Sequence, residues 1–124
     1  MALTTATVTL DVGPRPVNLC FGRGDTPVFG FYLQDEDGAI IDITGRTYTF
    51  TADTLENPTN AATNLFSISG VVTGASGLVT FQPASGDLDL DPNAEYYYDV
   101  QQTNGTDIRT IIKGSITIVQ DITK

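Results

Sequence analysis

The 124-residue chain contains no histidine and no tryptophan, has a single cysteine, and sets six basic residues against fifteen acidic ones. Each scarcity excludes something. Without histidine, the commonest general base, the commonest metal ligand and every Ser–His or Cys–His nucleophile pair are missing, so the chain is expected not to be an enzyme. Cys20 alone can form no internal disulfide and no cysteine zinc site, and stability must come from packing and strand pairing. Lying between Leu19 and Phe21 in an alternating segment, Cys20 faces away from both and is expected to be a structural thiol rather than a reactive one. A formal charge of −9 repels phosphate backbones and anionic lipid, so neither nucleic acid nor membrane is expected as a partner. That charge is expected to keep the chain soluble and apart from its copies, the alternative being electrostatic steering towards a basic partner. No window approaches the roughly 18 to 20 consecutive apolar residues of a membrane span, and the start Met1-Ala2-Leu3-Thr4-Thr5 lacks a basic, apolar leader. Synthesis and folding in a cytoplasm are the expectation.

What the chain does have is alternation. Val8, Leu10 and Val12 recur at period two, as do Val17, Leu19 and Phe21, then Phe29, Phe31 and Leu33, then Tyr48, Phe50 and Ala52. The same pattern covers Phe66 and Ile68 leading into Val71 and Val72, Val79 and Phe81, Tyr96, Tyr98 and Val100, Ile108 to Ile112, and Ile116 and Ile118. Period two puts one face of a strand on a core and the other towards solvent. Asp37-Gly38 and Asn104-Gly105 are hairpin signals, because tight hairpin turns need positive φ, and Gly45, Gly77 and Gly114 offer similar freedom. The first pair should fold the Phe29–Leu33 strand back towards Ile40–Ile43. The second should join a strand near 95–103 to one near 107–113. Eight or nine short strands with short turns predict an all-β protein, an antiparallel β-sandwich of immunoglobulin-like or jelly-roll type. Residues 53–65 read as a surface loop. Pro14 and Pro16 set off residues 1–16 as an N-terminal arm or edge strand, with one sandwich domain over 17–124, a length suited to a single core.

Candidate chemistry is sparse. Asp87, Asp89 and Asp91 alternate like the opening of a calcium loop, but Pro92 stands where the sixth-position glycine belongs and Tyr98 where the twelfth-position glutamate belongs. An acidic solvated turn is expected there, an irregular calcium site being the alternative. Gly22-Arg23-Gly24 lacks the third glycine of a dinucleotide fingerprint, so no cofactor is expected. Arg23-Gly24-Asp25 and Asn104-Gly105-Thr106 spell a receptor tripeptide and a glycosylation acceptor, but turn geometry accounts for both. Three consecutive tyrosines put Tyr96 and Tyr98 on one face and Tyr97 on the other, and Tyr97 is the candidate partner-binding residue, since tyrosine combines contact area with a polar tip. The competing role for Tyr97 is to cover a neighbouring strand.

The stretches Glu95-Tyr96-Tyr97-Tyr98-Asp99-Val100-Gln101-Gln102, Asn104-Gly105, Arg109-Thr110-Ile111-Ile112-Lys113-Gly114 and Val119-Gln120-Asp121-Ile122-Thr123 resemble the closing hairpins of small phage structural domains. With Arg23-Gly24-Asp25-Thr26, Phe31-Tyr32-Leu33, Asp37-Gly38 and Ile43-Thr44-Gly45-Arg46-Thr47, they are similar to the N-terminal domain of the upper baseplate proteins of tailed phages. The resemblance covers about residues 21–50 and 95–123. It implies a β-sandwich that attaches to other virion proteins, the major capsid protein or tail and baseplate proteins, with no catalytic residue to carry over. Upper baseplate proteins continue into a helical segment, whereas this chain stops at Lys124. The expected roles are therefore a capsid decoration (cement) subunit, ranked first, or a tail or baseplate adaptor onto which a separate fibre docks. A homo-oligomer is compatible with both. The rival from another class is a small carbohydrate-binding β-sandwich module, weakened by the lack of tryptophan platforms.

Overall fold

The computed structural model describes residues 4–10, 14–60 and 63–120. Val12 of the first alternating segment, and Asp121, Ile122 and Thr123 at the end of the chain, lie outside the described residues. Among the described residues ten strands run in order: β1 (Thr4–Thr9), β2 (Arg15–Pro16), β3 (Leu19–Gly22), β4 (Phe29–Gln34), β5 (Thr47–Asp53), β6 (Asn64–Ser69), β7 (Val71–Thr73), β8 (Leu78–Phe81), β9 (Tyr96–Asn104) and β10 (Asp107–Val119). A short 3₁₀ turn at Gly74–Ser76 joins β7 to β8. A smaller sheet has the order β1-β4-β8-β7, and a larger one the order β2-β10-β9-β5-β6, with β3 also on β10. Their inner faces share one core, in which Leu33, Ile43, Phe50, Ala52, Val79, Val100 and Ile112 are wholly buried. This is a β-sandwich. The alternation creates it: β5 buries Tyr48, Phe50 and Ala52, and β9 buries Tyr96, Tyr98, Val100 and Gln102.

Gln102 is a polar residue at an inward position, and it is satisfied there. Its side-chain carbonyl accepts from the Tyr48 hydroxyl at 2.7 Å and from the Arg46 guanidinium at 3.3 Å. Burial pushes the Tyr48 phenol up to about 12, against the opposing charge of Arg46, so the hydroxyl stays a donor throughout the physiological range.

The pairing departs from a purely antiparallel sandwich. β1 runs parallel to β4, with Thr4 opposite Phe29 and Thr9 opposite Gln34, and β2 and β3 run parallel to β10. Both sheets are therefore mixed. Alternation fixes which face of a strand is buried, whereas its direction depends on where the connecting chain crosses, and strands 1 to 3 meet partners far along the sequence.

Asn104-Gly105 makes its expected hairpin between β9 and β10, with Gly105 at φ +63°. β10 does not stop near 113. It runs on through Gly114 to Val119, and a bulge between Thr110 and Ile112 lets Ile111 and Ile112 both be buried. The Asp37-Gly38 turn forms too, but beyond it the chain makes one bridge, Gln34 to Ile40, and not a strand over Ile40–Ile43. The Asp35 carboxylate caps this turn by accepting from the Asp37 and Ala39 amides at 3.0 and 2.9 Å. β4 takes its ladder partners from β1 and β8 instead.

Gly45 and Gly77 adopt positive φ, but Gly114 does not. It sits inside β10, opposite Tyr98, where a Cβ atom would collide with the Val17 carbonyl oxygen. The glycine is there for close approach. β2 and β3 continue one register along β10, and the two residues between them, Val17 and Asn18, cross it at Gly114 and Ser115. Side chains complete the hydrogen bonding at this gap. The Tyr98 hydroxyl donates to the Val17 carbonyl at 2.6 Å, and the Asn18 side-chain oxygen accepts from the Ser115 amide and hydroxyl at 3.2 and 3.1 Å.

Candidate functional site

Residues at outward positions of the larger sheet form rows across it. Asn64, Asp53, Tyr97 and Ser115 align in one row, and Ser67, Thr51, Asp99 and Lys113 in the next. Segment 54–60 lies beside this face. A cleft of about 300 Å³ between them is lined by Asp53, Leu55, Glu56, Tyr97, Asp99 and Lys113, among others. Glu56, Tyr97 and Lys113 also line an adjoining groove of about 620 Å³ that reaches Pro14, Pro16 and Asn18.

Asp53 is the unusual member, a carboxylate only 4% exposed. One of its oxygens, Oδ1, accepts from the Leu55 amide at 2.8 Å and the Thr63 hydroxyl at 2.7 Å. The other, Oδ2, is buried without a hydrogen-bond partner among the described residues. Lys113, a cation on the wall of the cleft, donates to the Asn57 side-chain oxygen at 2.7 Å. Tyr97 is partly buried, and its hydroxyl donates to Glu95 at 3.1 Å. That bond, with the negative charges of Glu95 and Glu56, raises the phenol above its ordinary value. Tyr97 is thus on the outward face, as its parity requires, and stands directly opposite Asp53 in the same row.

Desolvation raises the Asp99 carboxyl above its ordinary value of 3.8, with Lys113 opposing. The folded state therefore holds this proton more tightly than the unfolded chain. The stabilisation is fully present below the unfolded value and is lost as pH rises through the folded one. Asp99→Asn is expected to remove that loss, leaving the variant more stable than the parent at neutral pH by about 1 kcal/mol or less, since the site is part-exposed. Urea midpoints across the acid range would check this, the difference shrinking towards pH 3.8 and below. A difference that grows on acidification would contradict the sign.

The other singled-out residues lie elsewhere and apart. Asp87 accepts from the Ala84 amide at 2.8 Å, Asp91 from the Asn93 amide at 2.9 Å, and Asp89 pairs with Arg23 at 2.9 Å. The three carboxylates are turned to three local tasks, and Leu88 between them is buried. Arg23-Gly24-Asp25 forms a turn in which the Asp25 amide donates to the Gly22 carbonyl at 3.2 Å, and Arg23 also reaches Gln120 at 3.2 Å. Cys20 faces away from buried Phe21, as expected, but it is exposed and adds nothing to the core.

Sequence reasoning missed Asp53, Asp99 and Lys113. Strand parity could have placed Asp99 with Tyr97, since the two are separated by two positions. Nothing local signals that β5 and β10 bring Asp53 and Lys113 alongside.

No family model matches the chain, and no curated protein matches it. Among solved structures it is similar to the N-terminal domain of phage TP901-1 ORF48, with a TM-score of 0.55 and 12% identity, covering 95% of this chain and 98% of that one. The match extends over nearly the whole of both chains, and at this identity it is a likeness of fold. The resemblance read from the sequence, to N-terminal domains of upper baseplate proteins, thus meets a structural neighbour of that kind.

Proposed function

We propose that the protein is a non-catalytic structural component of a tailed-phage virion that works by packing against other virion proteins, and that its place is the tail rather than the capsid. The observation that supports this reading is the fold shared with the ORF48 domain over nearly the whole of both chains. The chain's chemistry is consistent with it. It has no histidine, and Asp87, Asp89, Asp91 and Asp107, all outside the cleft, are tied into turns and surface ion pairs. An adaptor onto which a fibre docks needs a rigid body with an accessible binding face. The outer face of the larger sheet supplies one. Capsid decoration, ranked first from the sequence, requires the same compact body, but the fold comparison adds nothing in its favour.

Copy number separates the two positions. A tail component obeys the tail's rotational symmetry and is present in tens of copies or fewer, whereas a decoration subunit obeys the capsid lattice and is present in hundreds. Quantitative mass spectrometry of purified particles, with the major capsid protein as internal standard, is expected to give the low ratio. A ratio near one per few capsid subunits would move the protein to the capsid. Absence from particles would overturn the virion reading altogether.

A further inference from the structure

We propose that the cleft beside β5, β9 and β10 is a receptor for a cationic side chain, specifically an arginine guanidinium projecting from a partner protein. Asp53 carries the argument. A carboxylate 4% exposed, with one oxygen bonded twice and the other left without a partner among the described residues, lacks a donor. An unsatisfied buried acceptor is costly; Oδ2 itself is closed to solvent, but Asp53 lines an open cleft, so a donor entering from outside reaches this oxygen once the carboxylate turns towards the cleft. The surrounding charge selects the kind of donor. Three carboxylates, Asp53, Glu56 and Asp99, line the cleft against one ammonium, Lys113, which is already engaged by Asn57. An incoming cation meets a net negative wall.

Guanidinium fits better than the other cations. It is planar, presents several N–H donors in a fixed fork, stacks on aromatic rings and loses less hydration than an ammonium. The Tyr97 ring lines the cleft beside the acidic groups. A divalent ion is disfavoured, because no cluster of three or more His, Cys, Asp or Glu side chains arranged to hold a metal occurs among the described residues, and hard cations want six or more oxygens. A space of about 300 Å³ takes one side chain, and the adjoining groove of about 620 Å³ gives the polypeptide bearing it a course along Pro14 and Pro16. This inference deepens the structural-protein reading by naming the partner's chemistry, yet its test uses the isolated protein, so either can fail without the other.

The probe is N-acetyl-arginine-N-methylamide, titrated into the full chain and followed by amide chemical shifts. Saturable shifts centred on Asp53, Tyr97, Asp99 and Lys113 are expected. The neutral isostere N-acetyl-citrulline-N-methylamide is expected to bind at least about tenfold more weakly, as loss of a charge-assisted pair implies. Asp53→Asn, which keeps an acceptor for Leu55 and Thr63, is expected to weaken arginine binding about tenfold while preserving spectral dispersion. Should that variant lose its dispersion, Asp99→Asn is expected to weaken binding several-fold in a folded protein. Equal shifts from the citrulline probe, shifts scattered over the surface, or an unchanged affinity in the folded variants would overturn the proposal. Saturable shifts at the same residues from calcium chloride, with none from the arginine probe, would overturn it in favour of a metal site.

Discussion

Phe50→Ala is expected to lower the unfolding free energy by about 3–5 kcal/mol, the range for removing a large aromatic side chain from a packed core. Phe50 is wholly buried at the centre of β5, and its ring joins the two sheets. It stacks on Tyr98 at 4.7 Å between centroids, meets Phe29 at 5.3 Å and Phe81 at 5.6 Å across the sandwich, and lies 6.1 Å from Phe66 on β6. Removing it deprives four aromatic neighbours of a partner and leaves a space that two hydrogen-bonded sheets cannot close. For a domain whose total stability is on the order of 5–15 kcal/mol, that is a large share. Phe66→Ala is expected to cost less, because Phe66 is partly exposed on an edge strand that can shift. Urea denaturation of both variants, compared at constant slope, gives the two numbers. A Phe50→Ala loss below about 1.5 kcal/mol would mean that the sheets do not pack as described.

Gly114→Ala is expected to be nearly as damaging and Gly114→Val more so, with losses of about 3 kcal/mol or greater, in the range that marks a steric collision in a core. The reason is proximity and not backbone angle. A Cβ atom at 114 would run into the Val17 carbonyl and also approach the Tyr98 ring at 3.2 Å, and backbone cannot swing aside as a flexible side chain can. Relief would push Val17 outward and break the 2.6 Å bond from the Tyr98 hydroxyl to its carbonyl. Tyr98→Phe isolates that second effect and is expected to cost about 1–3 kcal/mol by leaving the carbonyl unpaired. Had Gly114 served only to supply an unhindered strand position, alanine would stabilise the chain by roughly 0.5–1 kcal/mol. The sign of the Gly114→Ala effect therefore decides between the two roles, and crosslinking or exchange at Val17 would show whether the crossing strand lifts away.

These two residues differ in how openly the sequence declares them. Phe50 sits in the run Thr47-Tyr48-Thr49-Phe50-Thr51-Ala52, where β-branched residues alternate with apolar ones, and both its strand and its inward orientation can be read from that pattern alone. Gly114, by contrast, reads as a turn because glycine next to a polar residue commonly marks one. The structure makes it the contact point of a strand that precedes it by almost the whole chain. The same contrast separates the two turns. At Asn104-Gly105, neighbouring strands are mutual partners, so local chemistry and pairing agree. At Asp37-Gly38 the turn forms, yet β4 is claimed by β1 on one side and β8 on the other, so the segment after the turn is excluded from a full ladder.

Residue order alone was enough to place most of the strands, the side chains that enter the core and the outward direction of Tyr97, and to remove histidine-dependent chemistry. Those properties are set by residue type and by a period of two, which any extended chain carries with it. Other features arose only on folding: the parallel direction of β1, β2 and β3, the merging of two segments into the long β10, and the cleft in which Asp53, Tyr97, Asp99 and Lys113 meet. Partner choice among strands depends on how connections cross and on which edges remain free. A site built from β5, β9 and β10 together exists only after those pairings, in that register, have been made.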